Sequence, residues 1–98
     1  GGEMVSLTQI EEIAARLWPG HQHAAVAVRD EAKGERIILL TEYPEGERSE
    51  FAKGVRAMGY SELLSPRDIR ITRQLPLLAS GKIDYPTLQD EVEQTPPV

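Results

Sequence analysis

The stretch Glu35-Arg36-Ile37-Ile38-Leu39-Leu40-Thr41-Glu42 decides the fold. Its four consecutive apolar residues read as a strand. A strand with one wet face alternates apolar and polar residues; this one does not, so both of its faces are covered. Upstream, Asp30 to Gly34 is a polar turn and Ala24 to Arg29 reads as a second short strand. Before that, Leu7, Ile10, Ile13, Ala14, Leu17 and Trp18 recur at three- and four-residue spacing, one apolar stripe of a helix. Ser6 is positioned to cap it, with Gln9 completing a capping-box pattern, and Pro19-Gly20 stops it.

Downstream, Pro44 to Gly46 form a loop. A second helix runs from about Glu47, with Phe51, Val55 and Met58 on one face, to an end near Gly59. Ile69 and Ile71 alternate with Arg70 and Thr72, the pattern of a half-buried strand. Asp84 is a cap for a last helix carrying Tyr85, Leu88 and Val92. The order α-β-β-α-β-α predicts a small α+β domain, a short mixed sheet with about three helices packed against it, over residues 1–94, followed by a tail at 95–98.

The chain has 98 residues and no cysteine, which excludes a disulfide scaffold, a zinc ribbon and a thiol nucleophile. Its longest apolar runs, Ala24–Val28 and Ile37–Leu40, are far below the roughly 18 residues of a spanning helix. No basic-then-apolar leader opens it, and its Gly1-Gly2-Glu3 start reads as a piece of something longer. The formal net charge of −5 is unevenly spread. Residues 51–82 carry Lys53, Arg56, Arg67, Arg70, Arg73 and Lys82 against Glu62 and Asp68. An acidic domain is a poor nucleic-acid binder, but its basic stretch suits a phosphorylated ligand or an acidic partner.

Catalytic residue types are few. His21 and His23 have the spacing of two metal ligands, yet no third ligand stands at a useful offset, and they read as surface histidines. Glu11, Glu12, Glu91 and Glu93 read as solvated helix faces. Ser80-Gly81-Lys82 fails as a phosphate-binding P-loop, because the first glycine would fall at Pro76 and the residue after the lysine is Ile83. What remains is Leu75-Pro76-Leu77-Leu78-Ala79-Ser80-Gly81-Lys82-Ile83-Asp84. Its leucines demand burial, and anchors on both sides of a Ser-Gly turn would aim Lys82, a point charge suited to phosphate or carboxylate. A surface lysine in a tight turn is the alternative.

This segment resembles the lysine-bearing loop in the carboxy-terminal domain of the adenylate-forming enzymes, the family of acyl-CoA synthetases, peptide-synthetase adenylation domains and luciferases. Three further stretches match in order: Gly1-Gly2-Glu3-Met4-Val5-Ser6 leading into Ile10-Glu11; His23 to Asp30 with Lys33-Gly34-Glu35; and Leu64-Ser65-Pro66-Arg67. Tyr85 stands where the family usually has arginine, and Leu64-Ser65 replaces a usual lysine before Pro66. Within the family the chain is most similar to bacterial bifunctional enzymes that join a 2-acylglycerophosphoethanolamine acyltransferase to an acyl-[acyl-carrier-protein] synthetase.

The resemblance implies a mobile lid domain of an AMP-forming ligase. Lys82 would be the catalytic lysine, Ser80 and Gly81 the turn that positions it, and Gly2 and Glu3 the edge of the phosphopantetheine channel. ATP and Mg2+ would be held mainly by a larger amino-terminal domain of the same chain. A fatty acid would be the carboxylate, and the thiol would be that of acyl carrier protein or CoA. The resemblance further implies a cytoplasmic protein, reaching a membrane only through the rest of the full-length enzyme, and a 98-residue piece that is inactive alone. The alternatives are the same domain of a plain acyl-CoA synthetase or amino-acid adenylation enzyme, or a non-catalytic interaction domain with the same fold, which would leave Lys82 dispensable.

Overall fold

The computed structural model describes residues 5–32 and 34–94. Helix α1 (Leu7–Leu17) begins at Ser6, whose hydroxyl accepts from the Gln9 amide at 3.1 Å, and buries Ile10, Ile13 and Ala14. Strand β1 (His23–Asp30) pairs antiparallel with β2 (Gly34–Thr41), from His23 opposite Thr41 to Asp30 opposite Gly34. Helix α2 (Arg48–Ala57) then carries the chain across the sheet. A single 3₁₀ turn at Glu62–Leu64 follows, and strand β3 (Asp68–Ile71) lies parallel to β2. The sheet order is β1-β2-β3, and α3 (Tyr85–Gln94) closes the described chain. The expected α+β architecture with a mixed sheet is what the chain adopts.

Strand β2 explains itself in this frame. Leu39 faces one core cluster with Ile10, Ile13, Trp18, Phe51 and Val55, while Ile38 and Leu40 face another with Leu75, Leu88 and Val92. Helices α1 and α2 therefore cover one side of the sheet, and α3 with the preceding loop covers the other. Four adjacent buried or half-buried apolar residues are what a strand between two such layers requires.

Strand β3 departs from its expected pattern. Ile69 is half-buried against the first cluster, whereas Ile71, at the end of the margin strand, is exposed. The opposite margin, β1, is closed by side chains. The Glu11 carboxylate accepts the Ala25 amide at 2.9 Å, and the Gln89 amide donates to the Ala27 carbonyl at 2.7 Å.

Candidate functional site

The loop between β3 and α3 is built as a short antiparallel turn. Leu77 bridges to Ile83, the Leu78 amide donates to the Lys82 carbonyl at 2.7 Å, and the Asp84 amide donates to the Pro76 carbonyl at 2.9 Å. Gly81 closes the turn with φ of +91°, a left-handed conformation that side-chain-bearing residues rarely adopt, and its amide reaches the Leu78 carbonyl. The Ser80 hydroxyl lies 3.4 Å from the Lys82 amide. Lys82 stands exposed at the head of this turn, and its ammonium has no ion-pair partner among the described residues.

Each end of the turn is tied to a different part of the fold. On the entering side, Leu75 is 1% exposed in the second core cluster and its amide donates to the Glu42 carboxylate at 2.8 Å. On the leaving side, Asp84 caps α3, its carboxylate accepting the Thr87 amide at 3.2 Å and the Thr87 hydroxyl at 2.8 Å. One residue later, the Tyr85 hydroxyl donates to Glu11 Oε2 at 2.5 Å. Burial and that carboxylate both raise the phenol's pKa above its ordinary value, burial being the larger cause.

Several expectations need correction. Leu77 and Leu78 are 40% and 47% exposed, and of the three leucines only Leu75 enters the core. Glu11 is not a solvated face: it holds both the Ala25 amide and Tyr85. His23 is not a surface histidine. It is buried, with Nδ1 2.8 Å from Thr41 Oγ1 and Nε2 3.0 Å from the Trp18 carbonyl, while His21 remains exposed beside Tyr43. Gly2 and Glu3 lie outside the described residues.

The basic stretch is divided by the fold. Arg70 pairs with Asp68 at 3.0 Å, and Arg36 shares that carboxylate at 2.5 Å. Arg48, Arg56 and Arg67 instead meet over a shallow cleft of about 420 Å³, with Ser49, Ser65 and Glu62 beside them. Glu62 lies 3.7 Å from Arg56 and offsets one of the three charges. Glu42 and Tyr85 escaped the sequence reading as loop anchors. Tyr85 had left one signal, as a departure from the arginine usual there. Among the described residues, no group of three or more His, Cys, Asp or Glu is placed to hold a metal ion.

No protein-family model matches the chain. It is 32% identical over 95 residues to a salicylyl-CoA synthase / salicylate adenylyltransferase of a Streptomyces species, and 34% identical over 92 residues to the pseudomonine synthase PmsE of Pseudomonas entomophila. These matches take in 94% and 91% of the chain but 17% and 15% of the relatives' own lengths. Among solved structures, Mycobacterium smegmatis MbtA superposes with a TM-score of 0.81 at 30% identity, over 93% of the chain and 18% of that protein. A Mycobacterium tuberculosis fatty acyl CoA synthetase shares the fold, with a TM-score of 0.81 over 99% of the chain and 20% of its own, at 22% identity.

Proposed function

With the chain placed among the carboxy-terminal domains of the adenylate-forming synthetases, we propose that it supplies the charge-neutralising lysine of an AMP-forming acid–thiol ligase. The observation that carries this reading is the Lys82 turn: an ammonium with no ion-pair partner among the described residues, on a tight, glycine-closed loop whose two ends are anchored by Leu75 and Asp84. Exposed Leu77 and Leu78 beside it suit a loop that meets another surface.

The reaction has two halves. A carboxylate oxygen attacks the α-phosphorus of ATP and pyrophosphate leaves, giving an acyl-adenylate. A thiol sulfur then attacks the acyl carbon, AMP leaves, and the thiol proton passes to solvent. The carboxylate is ionised already, so the first half needs no base. It needs two repelling anions held together and the charge gathering on the phosphoryl oxygens offset. A lysine ammonium between them meets both needs, and it acts most strongly where water is excluded. ATP and the acid are bound by the part of the enzyme outside this chain. Mg2+, when bound with the ATP phosphates, adds further neutralisation there.

The thiol is that of phosphopantetheine, on CoA or on acyl carrier protein. The relative named for a CoA thioester supports CoA. The cleft of Arg48, Arg56 and Arg67 supports an acidic carrier. A fatty acid destined for lysophospholipid reacylation is supported by the wording of Ser61–Arg67 and Lys82–Tyr85. The relative named for salicylate supports an aromatic acid instead.

The test uses the complete enzyme and its Lys82→Ala variant. Acid-dependent ATP–pyrophosphate exchange, run with palmitate and with salicylate, should fall by roughly 100-fold or more. Thioester formation from supplied acyl-adenylate, offered CoA and carrier protein in turn, should persist. Exchange that survives the substitution removes Lys82 from the chemistry and favours an interaction domain.

A further inference from the structure

The lysine turn rests on the second core layer, with Leu75, Ile83, Leu88 and Val92, whereas Glu11 belongs to α1 in the first. The Tyr85–Glu11 bond therefore passes around the β1 margin and joins two layers that the sheet otherwise separates. It spans 74 residues of chain, and Tyr85 is only three residues beyond Lys82. Glu11 is itself held, because the same oxygen accepts the backbone amide of Ala25 in β1.

We propose that Tyr85 is a positioning residue for Lys82, its hydroxyl fixing the exit of the lysine turn to α1 and β1 through Glu11. Below Tyr85, α3 is held by Leu88, Val92 and the Gln89 bond to Ala27. These hold α3 to the second core layer and to β1, and none of them reaches α1. Asp84 caps the helix internally, so it fixes the helix to its own start and not to the sheet. Remove the phenol hydroxyl, and the turn keeps Leu75 and Ile83 against the second layer but loses its tie to the first. The lysine then samples a wider arc, and a misplacement of about 1 Å weakens catalysis that depends on alignment. The direction of the hydrogen bond is settled by chemistry: the phenol keeps its proton and the carboxylate accepts it.

This inference rests on the adenylation role of Lys82, and the experiment separates the two. In the complete enzyme, Tyr85→Phe, Glu11→Ala, Glu11→Gln and Lys82→Ala are compared in both half-reactions. Tyr85→Phe and Glu11→Ala are expected to lower the maximal rate of ATP–pyrophosphate exchange roughly tenfold, with KM for ATP and acid little changed. Thioester formation from supplied acyl-adenylate should stay at the wild-type rate. Glu11→Gln, which keeps an oxygen acceptor, should recover most of the exchange. The inference is overturned if Tyr85→Phe exchanges at the wild-type rate while Lys82→Ala does not. It is equally overturned if Tyr85→Phe slows both half-reactions alike, which marks general loosening of the domain. If Lys82→Ala itself leaves exchange intact, the underlying role falls and this one with it.

Discussion

His23 Nδ1 lies 2.8 Å from Thr41 Oγ1 in the buried core, a pairing that the neutral imidazole satisfies. The Trp18 carbonyl, 3.0 Å from Nε2, only accepts, so Nε2 carries the proton. Nδ1 then accepts from the Thr41 hydroxyl, whose oxygen accepts the Tyr43 amide at 3.0 Å. Burial, the largest influence, lowers the pKa of His23 below its ordinary 6.5, against an opposing contribution from the Trp18 carbonyl.

The unfolded chain therefore binds a proton at pH values where the folded chain does not. This contribution to stability is complete above the unfolded value of 6.5 and is lost as pH falls through the lower folded value. Urea midpoints of the 98-residue chain should be flat near pH 7–8 and decline below about pH 6.5, by at most about 1.4 kcal/mol per pH unit for one proton. In His23→Gln that part of the decline should vanish. An unchanged pH profile would assign the decline to carboxylates.

Gly54 is where α2 meets Leu17 of α1. A Cβ added there would come within 2.5 Å of Leu17 Cδ2 and 2.6 Å of Cδ1. Replacing an interior helical glycine by alanine ordinarily gains up to about 1 kcal/mol. Here overpacking of about 1–3 kcal/mol opposes it, so Gly54→Ala should be net destabilising by about 1 kcal/mol. With Leu17→Ala in the background, the same substitution should become stabilising. A double-mutant cycle by urea denaturation reads the reversal, and an unchanged sign would deny the contact.

Leu75, Leu77 and Leu78 look alike in sequence and should respond differently. Leu75→Ala opens a cavity in the second cluster and should cost about 2–4 kcal/mol. Leu77→Ala and Leu78→Ala remove exposed side chains and should change stability by less than about 0.5 kcal/mol in the isolated chain. Chemical denaturation of the three variants settles which leucine holds the loop.

The left-handed conformation of Gly81 has open space around it, so a larger residue meets backbone strain and no clash. Gly81→Ala should cost about 1–2 kcal/mol within the turn. In the complete enzyme it should lower ATP–pyrophosphate exchange more than thioester formation. Gly81→Asn, better suited to that conformation, should lose less of it. Equal rates for all three proteins would show that the turn's shape does not govern Lys82.

What was legible in the sequence was local. Ser6 and Asp84 cap as their types and spacing suggest, Gly59 ends α2 with positive φ, and the unbroken Ile37–Leu40 run gave away a strand covered on both faces. What was not legible was long-range polar pairing. Nothing near His23 in the sequence announces Thr41, 18 residues away, and nothing near Glu11 announces Tyr85. Both look exposed in the sequence, because their partners come beside them only when the layers assemble. Leu77 and Leu78 failed for the opposite reason. Their apolar character was clear, but the domain itself gives them no interior to enter.

The side chains on the β1 margin have an effect beyond joining helices to the sheet. An outermost strand with free amides and carbonyls is a template on which another chain can grow. At the middle of β1 the Ala25 amide is already taken by Glu11 and the Ala27 carbonyl by Gln89. The far margin, β3, is only four residues long and charged through Asp68 and Arg70. Both ends of the sheet are thus blunted against strand-by-strand polymerisation, a safeguard for a small domain whose outer strands would otherwise offer open edges.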